Sequence, residues 1–123
     1  MGGTVGFSDK PEEIWLKAGW AFRQILEDTL ARCSEDIEMR EAFEQAEWYN
    51  GLAVQDLPGD LAERVISALR EVITGILAGT VESGITSKPY GDARTQAQYK
   101  EALQELLEII PARGNAEALE PVL

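Results

Sequence analysis

Residues 60–79 read Asp60-Leu61-Ala62-Glu63-Arg64-Val65-Ile66-Ser67-Ala68-Leu69-Arg70-Glu71-Val72-Ile73-Thr74-Gly75-Ile76-Leu77-Ala78-Gly79, and their periodicity decides the expected fold class. Leu61, Val65, Ile66, Leu69, Val72, Ile73, Ile76 and Leu77 recur at the three- and four-residue steps that share one helix face. Glu63, Arg64, Ser67, Arg70, Glu71 and Thr74 cover the other side. So broad an apolar face must be buried, which makes a helix over 60–82 the expected centre of the core. Pro58-Gly59 turns the chain before it, and Asp60 is a natural cap. Gly75 and Gly79 either admit a close neighbour or mark the helix end, since each glycine costs about 1 kcal/mol of helix propensity.

Three further helices are expected around this one. The first, over 9–33, starts at Ser8 or Asp9 with Pro11, Glu12 and Glu13 in its first turn. Its inner stripe is Ile14, Ala18, Phe22, Ile25, Leu26 and Leu30, with Trp15 at the margin. Leu16 and Trp20 fall well off that stripe. The second, over 35–49, is capped by Ser34 and stops at Asn50-Gly51. Its stripe of Met39, Ala42, Phe43, Ala46 and Tyr49 is thin. The fourth, over 92–110, is capped by Asp92, ended by Pro111, and buries Tyr99, Ala102, Leu103, Leu106, Leu107 and Ile110. The expected fold is therefore all-α, an antiparallel four-helix bundle; a three-helix core with the second helix at its periphery is the runner-up. A flexible start over 1–8, one helical domain over 9–110 and a mobile tail over 111–123 complete the expected organisation.

Composition narrows the function. Twenty-two acids against eleven bases and no histidine leave a net charge of −11. That balance excludes the lysine- and arginine-rich surface needed to neutralise nucleic-acid phosphates or an anionic membrane. No apolar run is long enough to span a bilayer and no signal peptide is evident, so the expected compartment is the cytoplasm. The lone cysteine, Cys33, sits at the end of an apolar stripe with no histidine to activate it, which reads as a structural thiol.

Six acids, Glu35, Asp36, Glu38, Glu41, Glu44 and Glu47, surround the second helix against one base, Arg40. Trp48 and Tyr49 follow at once, beyond what the thin stripe can hide. Acids steer a basic partner and aromatic rings anchor it, so these eight residues form the expected partner-binding surface. Leu16 and Trp20 are the expected dimer contacts, and a structural or regulatory homodimer is the second reading. Lys88, Tyr90 and Arg94 make one basic, aromatic spot in the longest connection, 83–91, and its margin.

Metal and catalytic motifs are sparse. Zinc and di-iron sites need histidine or several cysteines. Only magnesium fits carboxylates alone, and the spacings Glu38/Glu41, Glu44/Glu47, Asp60/Glu63 and Glu101/Glu105/Glu108 keep a magnesium-dependent all-α nucleotide phosphohydrolase as the third reading. Those acids oppose the apolar stripes, so solvated helix faces are the expected state. No cofactor motif is present. The preferred reading is a non-catalytic acidic protein that binds and neutralises or regulates a basic protein, of inhibitor, immunity-protein or antitoxin type.

Overall fold

The first element among the described residues is a β-strand. A computed structural model describes residues 2–111, and in it Gly2–Gly6 form strand β1 and Ile14–Ala18 form strand β2. Helix α1 follows at Gly19–Arg32, then α2 at Ile37–Tyr49, strand β3 at Gly51–Ala53, α3 at Gly59–Ala78 and α4 at Ala93–Ile109. Short 3-10 turns lie at Pro11–Glu13, Val54–Asp56 and Gly84–Ser87. The sheet order is β2-β1-β3, with β1 antiparallel to β2 and parallel to β3. This is a mixed α/β fold, which overturns the expected all-α four-helix bundle and its three-helix variant.

The correction lies in residues 2–18, and its cause is physical. Apolar residues at 14, 15, 16 and 18 satisfy a helical reading, yet their exposure alternates along the chain. Trp15 is 1% exposed and Leu16 is 64% exposed, the two-residue period of a strand with one buried face. The poor fit of Leu16 to a helical stripe was that period. β1 is hidden in a run of glycines, which have low strand propensity. Their use here is close approach: a Cβ on Gly3 would collide with the Phe22 ring, so the bare strand backbone lies directly on α1.

The other three helices form close to where their patterns place them. Asp36, not Ser34, caps α2 by accepting from the Met39 N–H at 3.1 Å, and Asn50 ends it in the left-handed region at φ 56°. Pro58 occupies the cap position of α3, so Asp60 falls inside the first turn. Asp92 caps α4 through the Thr95 N–H at 2.8 Å. Gly75 within α3 and Gly79 just after it have separate roles. Gly79 takes φ 84° and closes the helix, while Val81 folds back onto Gly75, where a Cβ would clash with it.

The core gathers Trp15, Phe22, Ile25, Leu26, Met39, Phe43, Leu69, Ile73, Leu103 and Leu106, all almost fully buried between the sheet and the helices. Trp15 also donates its Nε1–H to the Ala102 carbonyl at 2.9 Å, which fastens β2 to α4. Among the described residues no helix is long and apolar enough to cross a membrane. Most of the expected tail, 112–123, lies outside the described residues, as does Met1 of the expected flexible start.

Candidate binding surface on the second helix

Helix α2 buries only Met39, Phe43 and Ala46, so most of its circumference faces solvent. Its outermost stripe runs Ile37, Glu41, Glu44, Trp48 at steps of four, three and four residues. Ile37 is 64% exposed and Trp48 84%, so two large apolar groups bracket a pair of acids on open surface. Tyr49, 80% exposed, stands on the neighbouring face. Below it a groove of about 500 Å³ runs between α2 and the segment from β3 into α3. Glu38, Glu41 and Asp56 border this groove, and Leu57 and Leu61 supply apolar lining.

The six acids of this region are not equivalent. Asp36 is engaged twice, by the Met39 N–H and by the Arg64 guanidinium at 3.0 Å. Arg64 also reaches Glu38 at 2.6 Å and Asp60 at 2.8 Å, joining the starts of α2 and α3. The guanidinium holds the Asp36 carboxyl below the usual carboxylate range, with the Met39 N–H adding to the effect. Glu35, Glu41, Glu44 and Glu47 are exposed, and among the described residues none of the four makes an ion pair. Glu41 and Glu44, two of these carboxylates without an ion pair, therefore share the outer face of α2 with Trp48.

Leu16 and Trp20 do not share a helix edge. Leu16 lies on β2, whereas Trp20, in the first turn of α1, packs between the rings of Tyr90 at 6.3 Å and Tyr99 at 6.2 Å. The basic loop spot is likewise drawn into structure. Lys88 pairs with Glu27 at 2.9 Å and Tyr90 meets Trp20 while keeping an exposed edge, and Arg94 is exposed. Cys33 is half-buried, and burial, then Asp36 and Glu71, pushes its thiol up and away from the reactive thiolate. Among the described residues no three acids or thiols converge to hold a metal ion.

One cluster had no counterpart in the sequence reading. Asp28 of α1, 5% exposed, accepts from Ser83 Oγ at 2.5 Å, Tyr99 Oη at 2.7 Å, the Gly84 N–H at 2.9 Å and Gln24 Nε2 at 3.0 Å. Four neutral donors satisfy this buried carboxylate and tie the 83–91 connection to α1 and α4. Ser83 Oγ accepts in turn from the Ile85 N–H at 3.1 Å, so its hydroxyl is fully engaged in holding the turn. Burial, then the nearby Asp28 charge, pushes the Tyr99 phenol far up, keeping it a hydrogen-bond donor. The signal available in sequence was that Gln24 and Asp28 sit four apart beside the apolar stripe of their helix.

No family model matches the chain, and no curated protein and no solved structure is significantly similar to it.

Proposed function

We propose that this chain is a non-catalytic binding protein whose α2 surface docks a basic protein partner. The observation that carries the reading is the placement of Trp48 and Tyr49, more than three-quarters exposed, on the same helix as Glu41, Glu44 and Glu47, which make no ion pair among the described residues. Aromatic rings left in water cost the free protein hydrophobic free energy that a partner recovers on contact. Unpaired carboxylates around them raise the encounter rate with a basic surface and penalise an acidic one. The groove below Tyr49 joins apolar lining to an acidic rim, which suits a lysine or arginine side chain with its long aliphatic stem.

The test is affinity capture with the wild-type chain and with two variants, Glu41→Lys/Glu44→Lys and Trp48→Ala. A basic protein held by the wild type, released as salt rises and lost by both variants supports the proposal. Retention of the same proteins by all three rejects it.

A further inference from the structure

The direction of the β2 backbone can be read from two hydrogen bonds. The Phe7 N–H donates to the Glu13 carbonyl at 3.1 Å, one step beyond the Gly6–Ile14 pair. Hydrogen-bonded and non-bonded pairs alternate in an antiparallel ladder, so Val5–Trp15 and Gly3–Lys17 exchange bonds. The Thr4 N–H donates the other way, to the Asn50 carbonyl at 3.1 Å beside β3, which agrees with that alternation. Leu16 and Ala18 therefore turn their backbone groups away from β1, where the sheet ends.

Two groups on this border are engaged within the chain. The Ile14 N–H donates to the Pro11 carbonyl, and the Ala18 carbonyl stands at the cap of α1, where it accepts the first helical bond. The Leu16 N–H and C=O, the Ala18 N–H and the Ile14 C=O point away from β1, the one strand that pairs with β2 among the described residues. Sheet borders are usually blunted by proline, outward charge or a bulge. Here Ile14, Leu16 and Ala18 face out, uncharged and exposed, while Lys17 is turned toward α4 and held by Glu105 at 2.5 Å.

We infer that the β2 border accepts an extended segment of a basic partner protein as a fourth strand. Lys17–Glu105 and Trp15–Ala102 place α4 beneath β2, and Glu101 lies one turn before Glu105 on the same helix side. The incoming strand would present alternate residues to those acids and to Leu16, which specifies basic side chains on one face and apolar ones on the other. A second copy of this chain fits less well, because it would bring the acids of two α4 helices together and oppose net charges of −11. The inference uses the border of the sheet opposite β3 and α2, and it stands or falls independently of the α2 surface.

The probe is a ten-residue, end-capped peptide alternating lysine with valine and threonine, read by amide hydrogen exchange on the full chain. Exchange at Leu16 and Ala18 is expected to slow at least tenfold at saturating peptide, with glutamate in place of lysine giving no protection. Leu16→Pro removes the outward donor, and Glu101→Lys, which leaves the backbone alone, is expected to weaken binding at least threefold if the proline variant fails to fold. Glu41→Lys/Glu44→Lys should leave the protection unchanged. Absence of protection at β2, equal protection by the glutamate peptide, or protection that grows with protein concentration alone would each overturn the inference, the last by making a second copy the occupant.

Discussion

The Tyr99 hydroxyl donates to the Asp28 carboxylate at 2.7 Å, joining α4 to α1 across 71 residues of sequence. Tyr99 is 1% exposed, so neither group can exchange its partner for water. Tyr99→Phe removes one donor from a buried charge and should cost about 1–3 kcal/mol of stability. Asp28→Ala should cost more, because it strands the Ser83, Tyr99 and Gly84 donors together. Urea unfolding monitored by circular dichroism checks both, and a Tyr99→Phe variant as stable as wild type would remove the cluster from the list of supports.

Gly75 is expected to be intolerant of alanine for a local reason. Its Cβ would strike the Val81 side chain, which sits over the helix after the Gly79 turn. Gly75→Ala should therefore destabilise despite alanine's better helix propensity of about 1 kcal/mol. Gly75→Ala/Val81→Ala should recover part of that loss, and a double-mutant cycle measures the coupling.

The binding surface on α2 predicts a separation of stability from affinity. Trp48→Ala and Glu41→Lys/Glu44→Lys alter exposed side chains without ion-pair partners, so melting should move by no more than about 0.5 kcal/mol equivalent. Partner binding should fall sharply in both, and the charge reversal alone should flatten its salt dependence.

Asp36 gives a pH signature with a defined sign. Its carboxyl is depressed in the folded chain, chiefly by the Arg64 hydrogen bond. The stabilisation is thus present above the unfolded value of about 3.9 and fades as pH falls through the lower folded value. Asp36→Asn keeps a capping oxygen but loses the charge. The stability gap between wild type and this variant should be constant near neutrality and shrink as pH falls below the unfolded carboxylate value and through the lower folded one.

Helices α2, α3 and α4 were legible because each has an apolar stripe, a polar cap and a stop. Their ends moved by a few residues where Asp36 replaced Ser34 and Pro58 replaced Asp60 as caps. The sheet was not legible because its central strand is three-fifths glycine, and glycine announces itself by neither propensity nor period. β2 gave the only warning, in the misfit of Leu16 to a helical stripe. The exposure of Trp48 and Tyr49 could be anticipated by counting what the thin α2 stripe leaves over. The Asp28 cluster could not, since its members come from α1, the 83–91 connection and α4, and only the fold brings them together.

The order β2-β1-β3 has a consequence for how the chain acquires its shape. The strand at the middle of the sheet is the first element, and its two neighbours lie at very different distances along the sequence. β1 and β2 are linked by a short connection and can meet early, whereas β3 must be delivered past α1 and α2 before Thr4 finds Gly51. Closing that long loop is the slower entropic step. The hairpin is thus expected to assemble first and wait, with its Gly2-Thr4-Gly6 side open, until α2 docks and carries β3 into place.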